Sequence, residues 1–209
     1  MRRKDAGRPR EFDLDQAVEK AMRVFWARGY EGASMNELTE AMGISKPSLY
    51  AAFGDKRGLF AAALERYNKG PRGFGPKAME LPTAKAAVTA LLNGVVDVST
   101  RSQGPRGCLQ THGALVCSSE SEEIKELIAN NRKAGEARLR ARLLKAQEAG
   151  ELSPKTDIVR LTKYIATVAN GITVQGASGA SRKELKAAVE LAMQVWPGQS
   201  FPHSNQKKS

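Results

Sequence analysis

The stretch that most constrains this chain is SMNELTEAMGISKPSLYAAF, Ser34 to Phe53, which reads as two short helices joined by a glycine turn. Ser34 can cap the first helix, and Glu37 three residues on completes the pattern of a capping box. Leu38, Ala41 and Met42 share one face, and Gly43 supplies the left-handed residue that ends the helix. Ser45 caps the second helix, with Lys46 and Pro47 in its first turn, where an absent N–H costs nothing. Leu49 and Phe53, at i and i+4, point back at the first helix, which leaves Lys46, Ser48 and Tyr50 projecting outward. This is the pattern of a helix-turn-helix, whose second helix reads bases in a DNA major groove. A bare helix–glycine–helix pattern is common in all-α proteins, so its surroundings decide its meaning.

The surroundings are specific. GISKPSLYAAFGDKRGLF resembles the signature of the TetR family of transcriptional regulators, matched at Gly43, Ser45, Ser48, Leu49, Tyr50, Phe53, Lys56, Leu59 and Phe60. Upstream, FDLDQAVEKAMRVFWARGYEGASMNEL looks like that family's first helix and its link, here Gly29, Tyr30, Ala33 and Ser34. The close resemblance covers residues 8–67; beyond it the likeness is one of helical layout and of the phrase GCL at Gly107 to Leu109. One departure is Ala52, where the family usually carries an aromatic residue or His beside Phe53.

A chain of 209 residues can bury a full core as one large domain or two small ones. With 41% apolar residues and few β-branched runs it reads as a soluble all-α protein. No stretch approaches the ~18–20 apolar residues of a membrane span, and MRRKDAGRPR lacks the apolar segment of a secretory signal. Cys108 and Cys117 are too few for a disulfide framework and fit a reducing cytoplasm. The net charge of +11 points to a polyanionic partner. It is not concentrated on the helix-turn-helix, however, because residues 1–69 hold 13 basic and 10 acidic side chains. Locally, the first ten residues carry five basic side chains against one Asp. The resemblance implies that such an arm, with Arg8 and Arg10, lies against phosphates or the minor groove; a frayed, solvated terminus is the other reading.

Along the chain, the pattern predicts a helix over 14–28 capped by Asp13, then the helix-turn-helix, then a helix over 56–69 capped by Asp55. Together these make a DNA-binding unit over residues 1–69. Residues 70–82, GPRGFGPKAMELP, hold three glycines and three prolines and read as a connection without regular helix. A second domain follows over 83–196, with helices predicted at 83–102, 108–117, 119–149 (capped by Ser119 or Ser121), 155–177 and 181–196. Residues 197–209 read as a disordered polar tail. The expectation is an all-α protein of about nine helices, with a helix-turn-helix domain and a larger helical ligand-binding and dimerisation domain.

For recognition, Ser45, Lys46, Pro47 and Ser48 would face base edges, Lys46 pairing with guanine and Pro47 resting on a thymine methyl. The resemblance implies that Tyr50 donates its hydroxyl to a phosphate. Ser34 and Lys56 stand at helix N-termini, which also favour phosphate. One short recognition helix touches too few base pairs to select a genomic site, so two copies on a palindromic double-stranded operator are expected. The predicted homodimer interface is Ile165, Val168, Ala169 and Ile172 on one helix with Leu185, Val189, Ala192 and Trp196 on the next; Gly171 and Gly176 would permit close approach. Packing of these faces inside the protomer is the alternative.

The resemblance also implies an apolar pocket in the second domain, where an unknown small-molecule effector alters the spacing of the two reading heads. The nearly uncharged segment with Cys108, Leu109, His112, Leu115, Val116 and Cys117 is the predicted lining. His112 can be read as a ligand's polar handle, a metal ligand or a hydrogen-bonded core residue. Cys108 and Cys117 lie about 13 Å apart by helical rise, which argues against a disulfide, whereas a single reactive thiol would make a redox-sensing regulator. An enzyme using Cys117 or Cys108 with His112 lacks a third orienting residue, a nucleotide loop and metal-ligand spacing. A helical adaptor without DNA binding conflicts with Lys46, Ser48, Tyr50 and Lys56. The sequence therefore predicts a cytoplasmic, ligand-released repressor, without enzymatic activity, cofactor or metal.

Overall fold

The structure, a computed structural model, describes residues 9–111 and 122–197, with side chains from residue 14 onward. Nine helices are defined among these residues: α1 (Pro9–Gly32), α2 (Met35–Met42), α3 (Lys46–Phe53), α4 (Lys56–Lys69), α5 (Phe74–Met79), α6 (Ala84–Ser99), α7 (Glu122–Glu148), α8 (Ile158–Ala177) and α9 (Arg182–Gln194). No strand occurs among the described residues. The protein is all-α, with an N-terminal helix-turn-helix unit and a larger C-terminal helical part.

Most helix starts follow their caps. The side chains of Asp55, Thr83 and Ser181 accept from the backbone N–H groups of Gly58, Ala86 and Glu184. Ser181 and Glu184 form a reciprocal capping box. Other boundaries depart from expectation. Helix α1 begins at Pro9, so Asp13 lies inside it rather than capping it; proline's fixed φ suits a first turn. Gly29, at φ 72° and ψ 177°, breaks the helical path after Arg28. Helix α8 starts at Ile158, not residue 155, because Asp157 caps it. The preceding backbone is held otherwise, its carbonyls at Ser153, Pro154 and Thr156 accepting from Gln147 Nε2.

The glycine- and proline-rich connection does contain a helix, α5. Pro76 falls in its first turn, where no intrahelical N–H is required. Phe74 docks on α6 opposite Gly94, where an added Cβ would stand 2.2 Å from the ring.

Two cores result. The first joins Met22, Phe25 and Trp26 of α1 to Leu38, Leu49 and Phe60 of the next three helices, with Phe25 and Phe60 edge to face at 5.1 Å. The second gathers Val88, Leu92 and Val96 of α6, Leu143 of α7, and much of α8 and α9. Each fully buried side chain of this size contributes roughly 1.5–3 kcal/mol. Helix α7 serves both cores, placing Ile124 and Ile128 in the first and Leu139 and Leu143 in the second. At its start, Glu123 accepts from Arg57 of α4. The reading unit and the C-terminal helices therefore share a rigid rod.

Candidate nucleic-acid interface and effector cavity

Ser34 caps α2 by accepting from the Glu37 N–H at 3.1 Å. The reciprocal bond of a capping box is not made, because the Glu37 carboxylate accepts instead from Arg28 Nε at 3.3 Å. Gly43 closes α2 in the left-handed region, at φ 72°. Ser45 then caps α3, accepting from the Ser48 N–H at 3.3 Å, while the two hydroxyls sit 2.9 Å apart. Leu49 is fully buried and Phe53 packs on the first core, so α3 is fixed through one side. Its other side presents Ser45, Lys46, Pro47, Ser48 and Tyr50, all exposed, with Tyr50 at 49%. A large aromatic side chain left half in solvent beside lysine and serine on a rigid helix start is what a groove-reading surface needs.

Lys56 opens α4 with its ammonium 4.7 Å from the centre of the Tyr30 ring. Partial burial pulls this group below the ordinary lysine range, against the opposing pull of Glu31. Helix α4 is set close to α3 by Gly58, where a Cβ would fall 2.0 Å from the Phe53 carbonyl oxygen. Arg10 lies in the first turn of α1, and Arg8 lies outside the described residues.

The predicted dimer contacts are placed differently. Ile165, Ile172, Leu185, Val189 and Trp196 are buried within the protomer, and Val168, Ala169 and Ala192 are half-buried. The widest apolar stripes of α8 and α9 are used internally, because both helices pack on α6. Gly176 likewise serves this internal contact, for its missing Cβ would stand 2.6 Å from that of Ser99. What remains outward on α8 and α9 is a second set: Tyr164, Gly171 and Val174 with Leu191 and Val195. Leu191 is 64% exposed and Val195 53%.

Between α4, α5, α6, α7 and α8 lies a cavity of about 530 Å³. Met79, Leu91, Val95, Leu139 and Ile165 form its apolar side. Its other side is polar: Gln110 Nε2 donates to Asn68 Oδ1 at 2.8 Å, and Asn68 Nδ2 donates to Asn131 Oδ1 at 2.8 Å. Arg72 completes this side, Nη1 standing 3.6 Å from Cys108 Sγ. Burial pushes the Cys108 thiol up, but the guanidinium, with the Tyr67 hydroxyl and the Thr111 backbone, outweighs it and leaves the thiol below its usual range. Burial also raises the neighbouring Tyr67 hydroxyl well above an ordinary phenol.

Of the predicted lining, Cys108 does face the cavity, whereas Leu109 turns into the first core. His112, Leu115, Val116 and Cys117 lie outside the described residues. Sequence reasoning missed Arg72, Asn68 and Gln110. Arg72 lay in a segment read as linker, and an amide's burial leaves no periodic trace.

Fold, reading surface and cavity together define a helix-turn-helix regulator with a ligand-sized chamber behind its reading unit. Comparison with known proteins gives the family. Residues 17–63 match the family described as bacterial regulatory proteins, tetR family, and residues 84–192 match the tetracyclin repressor-like C-terminal domain. The chain is 30% identical over 197 residues to the HTH-type transcriptional repressor ComR of Escherichia coli (strain K12), covering 93% of this chain and 94% of that one. It is 28% identical to the uncharacterized HTH-type transcriptional regulator YezE of Bacillus subtilis (strain 168), over 90% of this chain and 98% of that one. A cysteine mutant of the TetR family transcriptional regulator CifR, complexed with 26bp double-strand operator DNA, superposes with a TM-score of 0.86 at 41% identity. That match covers 91% of this chain and 100% of the other. The protein belongs to the TetR family of transcriptional regulators, which are not enzymes. No helix among the described residues is long and apolar enough to cross a membrane.

Proposed function

We propose that this protein is a homodimeric repressor that binds a palindromic double-stranded operator and is released by a small molecule held in the C-terminal cavity. The observation that carries this reading is the start of α3, where Ser45 to Ser48 and Tyr50 are exposed while Leu49 between them is fully buried. Lys46 and Pro47 meet base edges there, and Tyr50 reaches a phosphate. Ser34 and Lys56 add phosphate contacts at helix starts, and the basic arm with Arg8 and Arg10 follows the backbone.

Two copies supply the specificity that one short helix lacks. The outward apolar residues of α8 and α9 support the pairing, for Tyr164, Val174, Leu191 and Val195 are large apolar side chains left 41–64% exposed on these two helices. The position of the cavity supports release. Asn68 and Lys69, in the last turn of α4, form part of its wall, and α4 packs along α1 and touches α3. A ligand preferring one placement of α4 shifts the spacing of the reading helices by its differential affinity.

The test is DNA capture from sheared source genome, followed by anisotropy on the recovered duplex. Wild type binds with a steep salt dependence, and Lys46→Ala with Tyr50→Ala removes it. Retention of full affinity by that double variant overturns the reading.

A further inference from the structure

We propose that the cavity takes an anionic amphiphile: a small carboxylate whose head pairs with Arg72 and whose hydrocarbon part lies on the apolar wall. The inference deepens the effector reading above and rests on it for the operator effect alone. Its ground is an imbalance of charge. Lys69, Arg72, Arg132 and Arg138 line the cavity against the single carboxylate of Glu136, which is already paired with Lys163 at 2.7 Å. Lys69 is likewise paired, with Glu65 at 2.6 Å. Arg72 differs from these. No carboxylate among the described residues forms an ion pair with it; the groups against its guanidinium are the Cys108 sulfur, the Tyr67 hydroxyl and, at 5.9 Å, the Phe74 ring. A cation placed on a cavity wall without a carboxylate partner is costly to desolvate, and an entering anion removes that cost.

The surroundings fit a carboxylate head. A guanidinium presents a planar fork that matches its two oxygens, and Gln110, Asn68 and Asn131 offer a row of amides beside it. Elsewhere in the lining, Met79, Leu91, Val95, Leu139 and Ile165 offer hydrocarbon and no hydrogen-bonding side chain. Arg132 and Arg138, both exposed on α7, stand at the rim and attract an anion toward the opening. A neutral apolar ligand would leave Arg72 without a carboxylate partner, and a fully polar one would waste the apolar lining.

Sodium octanoate is the probe, with octanamide as its neutral counterpart and octyl phosphate as the alternative anion. Calorimetric titration of the full-length protein should show octanoate binding and octanamide binding at least tenfold more weakly. Arg72→Gln should weaken octanoate about ten- to hundredfold, the range of a charge-assisted hydrogen bond, and Arg72→Lys should restore part of the loss. If Arg72→Gln does not fold, Arg132→Gln with Arg138→Gln provides the second arm: affinity at low salt should fall severalfold and lose its salt dependence. The proposal is overturned if octanamide binds equally, if octyl phosphate binds in preference, or if none of the three probes binds. Octanoate binding without any change in operator affinity supports the anion site and overturns ligand-controlled release instead.

Discussion

Asn68 of α4 donates from Nδ2 to Asn131 Oδ1 of α7 at 2.8 Å, and through this bond the reading unit is tied to the wall of the cavity. Asn68 Oδ1 meanwhile accepts from Gln110, so one side chain on the last turn of α4 spans two other segments. Removing it leaves two amides without their partners, at a cost of about 1–3 kcal/mol. Asn68→Ala should lower the urea midpoint accordingly while keeping operator affinity, since the residue is remote from α3. Its operator complex should also respond less to a cavity ligand. A variant as ligand-responsive as wild type would separate the amide row from signalling.

The glycines of α8 make opposite predictions. At Gly176 a Cβ would stand 2.6 Å from Ser99 Cβ and 2.9 Å from its carbonyl oxygen, so Gly176→Ala must push α8 off α6. Overpacking of this kind costs about 1–3 kcal/mol. At Gly171 nothing lies within 4 Å of an added Cβ, and alanine there should stabilise the protomer by roughly 0.5–1 kcal/mol. Thermal unfolding of both variants checks the pair; equal effects would show that the α6–α8 contact is not set by Gly176.

The outward apolar residues predict the oligomeric state. Leu191→Glu, at a position 64% exposed, should scarcely alter protomer folding yet yield monomers in sedimentation velocity. Operator affinity should fall with it, because paired half-sites need paired heads. Leu185→Glu, 5% exposed in the second core, should instead unfold the protomer. A dimer that survives Leu191→Glu would place the interface elsewhere.

Cys108 gives a pH dependence of defined sign. Although burial alone would raise it, the nearby Arg72 guanidinium leaves the folded thiol below its usual range. Its contribution to stability is therefore complete above the unfolded thiol value, about 8.5, and disappears as pH falls through the lower folded value. The difference in urea midpoint between wild type and Cys108→Ser should grow in favour of wild type as pH rises through that interval, then level off. A difference that shrinks with rising pH contradicts the arrangement, and so does one unaffected by Arg72→Gln.

Much of this protein was written locally. Gly43, Ser45, Pro47 and Leu49 determine where α2 ends, where α3 begins and which side of α3 faces inward, because caps, positive φ and i to i+4 spacing act within one or two turns. The same logic placed Thr83 and Ser181 at their helix starts, though it misread Asp13 and the helix around Pro76. It could not tell which apolar stripe of α8 meets α6 and which meets solvent. Ile165 and Val174 look alike in sequence, and only the packing of the helices distinguishes them, burying Ile165 in the second core and leaving Val174 exposed. Nor could it bring Arg72, from a glycine-rich connection, against Cys108 thirty-six residues later. Helix ends depend on neighbours in the chain, whereas a cavity wall depends on neighbours in space, and those are settled when distant helices compete to bury the same apolar surface.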